Sequence, residues 1–307
     1  MYHIIYNPKS RSGQGKETWM QVRGQLMREK VPYREHQTTC RGDARKITDR
    51  LTRSDWDEER DVLVVIGGDG TVNEAVNGIC NLDKVKFGYI PTGSGNDFAR
   101  GIGISTDPMQ ALKGILHPGK TMKINVGFTK VGTKKRRFAI SSGLGYDAAI
   151  CHEALSSRIK EMLNRIHLGK LTYVVIALRQ LFHSELMQMD ICTEEGKMYH
   201  FPRVLFAVAM NLPYEGGGFM FTPHASCTDD ELDLMIVDNI PRWKVLMFLP
   251  LALKGKHTGF SEIHSLRLKE AQVSVRKAKA VHMDGESGGY QTKLVWGMES
   301  QKLEVLL

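Results

Sequence analysis

The segment Val62-Leu63-Val64-Val65-Ile66 is apolar at every position and runs straight into Gly67-Gly68-Asp69-Gly70-Thr71-Val72-Asn73-Glu74. A strand with no polar face must be covered on both sides, the situation of an interior strand in a parallel sheet. The glycines demand a tight turn, and a helix is predicted over about 71–80. The flanking sequence repeats this order. Strands are predicted at 2–6, 33–38 and 87–90, with a helix running to about residue 30 and another opening at Gly42-Asp43-Ala44. That rhythm predicts an α/β domain, a parallel sheet with helices on both faces. Its glycine-rich segments all follow strands, so they gather at the sheet edge where open α/β folds bind ligands.

Past Lys123 the rhythm changes. Residues 122–131, 138–142, 188–193, 203–210, 232–237 and 266–275 read as strands, separated by turns such as Glu194-Glu195-Gly196. A mostly β second domain is expected, interrupted by helices at about 149–182 and 241–253. The boundary is placed near 119–123, giving domains 1–122 and 123–307; segments 293–296 and 303–307 fit either sheet. The five scattered cysteines point to a reducing compartment and away from a disulfide framework or a zinc site. The N-terminus shows no charged leader before an apolar run, and the longest nearly apolar stretch, 245–253, is too short to span a bilayer. A soluble, cytoplasmic protein, or one attached peripherally to a membrane, is expected. The net charge of +8 suits nucleotides, nucleic acid or anionic lipid heads as partners, and equally suits solvated surface lysines.

Three glycine turns carry the chemistry. Backbone N–H groups at Gly67-Gly68-Asp69-Gly70 can approach phosphate oxygens without a Cβ in the way, and Asp69 can position a magnesium ion on those phosphates. Pro91-Thr92-Gly93-Ser94-Gly95-Asn96-Asp97-Phe98-Ala99-Arg100 and Asn7-Pro8-Lys9-Ser10 with Gly13 and Gly15 are two further turns after strands. Each alone is compatible with a capped helix start. Three at one sheet edge describe a nucleotide pocket, and none has the Walker spacing.

GGDGTVNE followed by PTGSGNDFAR, with Asp284-Gly285-Glu286 late in the chain, resembles the diacylglycerol kinase catalytic family, specifically its bacterial soluble lipid kinases. Sphingosine and ceramide kinases are more distant relatives. The resemblance implies a cleft between the α/β domain and a β-sandwich-like domain. It implies ATP held by Asn7, Pro8, Lys9, Ser10, Gly13, Thr38, Gly67, Gly68, Asp69, Gly70, Thr71, Val72, Asn73, Glu74, Ser94, Asn96 and Asp97. It implies catalysis by Asp69, Asp284 and Glu286, with Glu286 as base and Asp284 its rival; both carboxylates are expected to face one side. Residues 138–148 and Asn211 with Gly216-Gly217-Gly218 would border the cleft. A second, structural Mg2+ would be held by Ser226, Asp229 and Glu231, although Asp230 stands where the family carries glycine. The implied activity is ATP- and Mg2+-dependent phosphorylation of a lipid hydroxyl at a membrane surface, with diacylglycerol leading. Phosphatidylglycerol, a sphingoid base or an isoprenoid-like alcohol are alternatives, as are an NAD-kinase-like reaction and non-catalytic binding. A homodimer is implied and a nucleic-acid partner is not. Lys134-Lys135-Arg136-Arg137, between two expected strands, is expected at a solvated hairpin tip or against anionic lipid heads, and the basic-apolar stretch 158–182 either shapes lipid entry or packs in the core.

Overall fold

The computed structural model describes residues 1–53, 55–156 and 169–307. Along the first part run β1 (Tyr2–Tyr6), α1 (Gln14–Arg28), β2 (Tyr33–Gln37), α2 (Asp43–Arg53), β3 (Val62–Gly67), α3 (Asp69–Gly78), β4 (Lys86–Pro91), α4 (Asp97–Ile102), α5 (Pro108–Leu116) and β5 (Thr121–Ile124). Then come β6 (Gly127–Val131), β7 (Lys134–Phe138), β8 (Ser141–Gly145), α6 (Tyr146–Ser156), α7 (Gly169–His183), β9 (Met187–Thr193) and β10 (Met198–Met210). The chain continues through β11 (Tyr214–Glu215), β12 (Phe219–Met220), β13 (Leu232–Asp238), α8 (Arg242–Ala252), β14 (Ile263–Leu268), β15 (Glu270–Met283), β16 (Glu286–Met298) and β17 (Leu303–Leu306).

The first sheet has the order β2-β1-β3-β4-β17-β5, parallel except where β17 meets β5. The central strand β3 alternates its apolar side chains between two cores. Leu63 and Val65 pack with Val72 and Val76 of α3 and Ala44 of α2. Val62, Val64 and Ile66 pack with Trp19, Val22 and Leu26 of α1 and Ile115 of α5. Helices on both faces follow directly from a strand that is apolar on both. β17 buries Leu303 and Val305 in the first core and Leu306 in the second, so the chain's last strand is an interior strand of its first sheet. Segment 293–296 stays in β16, in the other sheet.

The second sheet is antiparallel, in the order β14-β13-β10-β8-β15-β16-β6-β7, with β9 pairing both β10 and β15. Several expected strands are divided. The run 122–131 breaks at Asn125, whose N–H donates to Cys227 O and whose side chain bonds Asp230, so β5 joins the first sheet and β6 the second. The run 138–142 breaks at Ala139-Ile140, whose N–H groups turn to the Asp284 carboxylate. The run 266–275 breaks at Lys269, whose N–H donates to the Glu194 carboxylate. The basic run 134–137 is strand β7 rather than a hairpin tip; the turn lies before it, at Gly132 with φ 57°. Much of the stretch 158–182 falls on residues 157–168, outside the described residues, while α7 buries Ile176 and Leu181 and exposes Val175, Leu178 and Phe182.

Candidate active site

The β3–α3 and β4–α4 turns touch through bare backbone. A Cβ on Gly93 would stand 2.8 Å from Gly68 Cα, and one on Gly67 would stand 2.6 Å from Thr71 Oγ1. Glycine at 93, facing Gly68, lets the two turns close on each other, and glycine at 67 leaves room for Thr71 within its own turn. Beneath them Tyr89 donates its hydroxyl to Gly67 O at 3.1 Å. The β1 turn joins the pair: Ser10 Oγ lies 2.7 Å from Thr92 Oγ1 and 3.0 Å from Asn7 O, and Asn7 Nδ2 reaches Thr71 Oγ1 at 3.5 Å. Asn7 Oδ1 accepts from Lys9 N–H at 3.0 Å across Pro8, and Gly13, in the left-handed region at φ 105°, leads into α1. The three glycine turns therefore form one edge.

Asp69 opens α3 and faces the start of α4, its oxygens accepting from Asp97 N–H at 3.1 Å and Phe98 N–H at 3.2 Å. Asp97 in turn accepts from Gly217 N–H at 2.7 Å and pairs with Arg100 at 2.7 Å. Burial, and then the neighbouring Asp97 charge, push the Asp69 carboxyl up to about 6. Burial also raises Asp97. Two crowded carboxylates beside the glycine turns are a hard-oxygen donor set that fits a magnesium ion. Ser94 is exposed at the rim, and Asn96 sits in the left-handed region at φ 53° with its Oδ1 buried and unpartnered.

Not every residue of the family pattern faces this edge. Val72 is fully buried in the core, a consequence of its place on the inner side of α3. Glu74 caps α2, accepting from Gly42 N–H at 2.7 Å and Ala44 N–H at 3.2 Å. Thr38 is buried, with its hydroxyl and its N–H on Tyr6 O.

The β15–β16 hairpin brings the late motif to α3. Asp284 and Glu286 do not share a side, because Asp284 turns the chain at φ 49° while Glu286 begins a strand. The Asp284 carboxylate accepts four N–H groups: Ile140, Ser141 and Ala139 of the chain and the Asn73 amide, at 2.8–3.0 Å. Burial raises its pKa against those donors. With every oxygen committed, Asp284 is a cross-link between α3 and the β7–β8 link, which explains why Asn73 is 1% exposed. Glu286 instead projects into a cavity of about 300 Å3, lined by Arg41, Arg45, Asn73, Glu74, Asn77 and Arg136 among others. It pairs with Arg41, and a Cβ added at Gly70 would be 3.3 Å from its Oε1. Arg136 reaches in from β7, bonding Asn73 Oδ1 and Ser287 O at 3.1 Å each.

Behind the hairpin lies a buried cluster. His282, with no exposed surface, places Nε2 2.7 Å from Asp147 and 3.0 Å from Glu215, and its Nδ1 accepts from Gly285 N–H at 3.2 Å. An acceptor at Nδ1 puts the neutral ring's proton on Nε2, so the ring offers no lone pair to an ion beside Asp147 and Cys151. Burial, reinforced by Asp147, raises Glu215 to about 7.

The expected structural-metal residues are arranged otherwise. Asp229 and Glu231 both pair with Arg267, which also lies 3.6 Å from Asp233, while Ser226 Oγ faces Thr228 Oγ1 at 3.0 Å. The Arg267 guanidinium is counter-ion to both expected carboxylate ligands, and the Ser226 hydroxyl turns to Thr228. Asp230 adopts the left-handed φ of 66° that favours glycine, held by Lys302 at 2.8 Å and Asn125 at 2.7 Å.

Residues 1–129 match the model of the diacylglycerol kinase catalytic domain, and residues 143–306 match that of the YegS C-terminal NAD kinase beta sandwich-like domain. The diacylglycerol kinase of Bacillus subtilis (strain 168) is 29% identical over 292 residues, covering 93% of this chain and 89% of that protein. Among solved structures, a diacylglycerol kinase of Bacillus anthracis str. Sterne aligns with a TM-score of 0.70 at 19% identity, over 99% of this chain and 96% of that one. An NAD kinase of Archaeoglobus fulgidus in complex with ATP shares the fold at a TM-score of 0.52 and 10% identity, over 100% and 94% of the two chains. With both domain models matched and the glycine turns and the Glu286 carboxylate meeting at one cleft, the chain belongs to the diacylglycerol kinase catalytic family and is a lipid kinase.

Proposed function

We propose that this lipid kinase transfers the γ-phosphoryl group of ATP to the free hydroxyl of diacylglycerol, with Glu286 as the general base. The observation that carries this reading is the abutment of Glu286 on Gly70: the one uncapped carboxylate of the late motif faces the first turn of the phosphate-binding helix. As the lipid oxygen bonds to the γ-phosphorus, the bond to the bridging oxygen breaks, ADP leaves, and the hydroxyl proton passes to Glu286. Arg41, Arg45 and Arg136 supply positive charge around the same cavity. A magnesium ion at Asp69 and Asp97 would neutralise charge on the transferring phosphate. The choice of diacylglycerol rests on relatives of that name, 28–29% identical over 93% of the chain.

The test is single-turnover transfer from radiolabelled ATP to a panel of dispersed lipids. Glu286→Gln is expected to slow the chemical step by about 10²–10⁴-fold while ATP binding persists. Asp284→Asn places an NH2 group among N–H donors and is expected to lower stability by about 1–3 kcal/mol, a melting shift that Glu286→Gln does not share. A folded Glu286→Gln enzyme with undiminished transfer removes the base assignment. Label appearing in another lipid and not in diacylglycerol removes the substrate assignment.

A further inference from the structure

Helix α8 is apolar on both sides. Val245, Phe248 and Ala252 face the interior, where they pack with Val237 and Ile240. On the outer side, Trp243 (65% exposed), Leu246, Met247 (57%) and Pro250 form a stripe at helical spacing that continues to Leu253. A helix lying against water is expected to be polar on that side. The stripe continues onto α7, where Val175, Leu178 and Phe182 (61%) are exposed, and Arg242 of α8 donates to Phe182 O and Ser184 O at the junction. More than half of the large apolar side chains exposed among the described residues lie on these two helices or on Leu253.

We propose that the outer faces of α7 and α8 are a membrane-docking surface that inserts apolar side chains into the headgroup layer of an anionic bilayer. The inference rests on the lipid-kinase reading for its occupant, and on two further observations. The first is charge: neither helix contains a single Asp or Glu, and Lys254 and Lys256 stand exposed just past α8. That pattern complements an anionic surface, and tryptophan is a residue enriched where membrane meets water. The second is continuity with the cleft. The β11–β12 hairpin contacts both places: Gly217 N–H bonds Asp97 beside the phosphate turns, while a Cβ on Gly255, just after α8, would meet Met220 Sδ at 2.8 Å. Docking through α8 therefore sets the cleft next to the surface that supplies its substrate.

The test compares wild type with Leu246→Glu/Met247→Glu, using Met20→Glu/Met27→Glu on α1 as a control that also removes exposed methionines. Partitioning onto phosphatidylcholine vesicles containing phosphatidylglycerol is measured by flotation at low and at molar salt. Separately, phosphorylation of a short-chain, monomerically dissolved diacylglycerol is measured without vesicles. The proposal expects wild type and control to float and to keep part of their binding in molar salt. The α8 variant is expected to lose at least about 100-fold in partitioning, with unchanged turnover of the dissolved substrate. Equal flotation of all three proteins overturns it. So does a wild type that self-associates by light scattering while the α8 variant is monomeric, because the face is then a contact between copies. A failure of the substrate reading shows differently, as absent turnover of dissolved diacylglycerol in every protein whatever the flotation.

Discussion

Asp284 and Glu286 carry the same functional group two residues apart, and their surroundings give them different tasks. Four N–H donors immobilise one, whereas a single arginine pairs with the other in an open cavity. His282 holds the turn between them by accepting from Gly285 N–H. That bond predicts an asymmetry between two conservative variants. In His282→Asn the amide oxygen falls near the Nδ1 position and keeps the acceptor for Gly285. In His282→Gln the amide lies near Nε2 and loses it. His282→Asn is expected to retain kcat within a few-fold and His282→Gln to lose about 10-fold or more, with KM for ATP unchanged in both; equal kcat losses would show that the ring only fills space. The glycine turns were legible because each is contiguous and one turn of backbone dictates it, whereas Asp-Gly-Glu, a plain turn on its own, was singled out only by its place in the family pattern. Arg41, Arg45, Arg136, Glu215 and His282 were not legible. Each is a single residue on a different element, and only sheet packing brings them together. The basic run 134–137 was the available signal, and reading it as a hairpin tip hid Arg136, which β7 carries into the cavity.

Elements explain how the expected metal loop is held. The loop before β13 offers Asp229, Asp230 and Glu231, and β13 itself Asp233, to Arg267 of β14 and to Lys302, the residue before β17. Arg267 reached this loop through β13–β14 pairing, in which Asp233 sits opposite Arg267, a register that sequence spacing does not reveal. Without ATP, the melting temperature of wild type is expected to change little with millimolar Mg2+. Arg267→Ala should melt lower and be raised by the ion, because binding to the folded state alone stabilises it. A wild type as Mg2+-responsive as the variant would return the ion to this loop. On the other sheet, His36 of β2 stacks 5.8 Å from His3 of β1, with its Nε2 buried and unpartnered. Burial, with the His3 and Arg50 charges behind it, pushes the His36 pKa down to about 4. Between an unfolded value of about 6.5 and that folded value, the unfolded chain binds the extra proton. This contribution to stability is therefore whole above about pH 6.5 and disappears as pH falls through about 4. Urea midpoints at pH 7 and pH 5 are expected to differ less for His36→Gln than for wild type.

At the scale of the molecule, the two sheets were legible in outline because the change from β-α alternation to strand after strand is a change of period. The seam was not, because it depends on asparagines. Asn125, Asn211 and Asn73 bridge segments far apart in sequence through side-chain bonds to backbone, and nothing local marks an asparagine for that use. The largest feature left open was β17, a strand segment that fitted either sheet by sequence and stands between β4 and β5. Cutting the chain after residue 300 removes Leu303, Val305 and Leu306 from both cores of the first sheet. The truncated protein is expected to lose cooperative unfolding and ATP binding together, although every glycine turn is intact; a sharp thermal transition with normal ATP affinity would show that β17 is dispensable.

The same strand imposes an order on synthesis. A nascent chain that has just released β4 can pair it with β3 but still lacks its second neighbour, and more than two hundred residues must be translated before that neighbour emerges. At about 5–20 residues per second this is a delay of roughly 10–40 s. Throughout it, Phe87 and Ile90 lie beside an open strand edge of the kind that recruits chaperones or a second nascent chain. The half of the protein that will grip ATP is made first and finished last, so a ribosome that stalls within the second sheet leaves no working fragment behind.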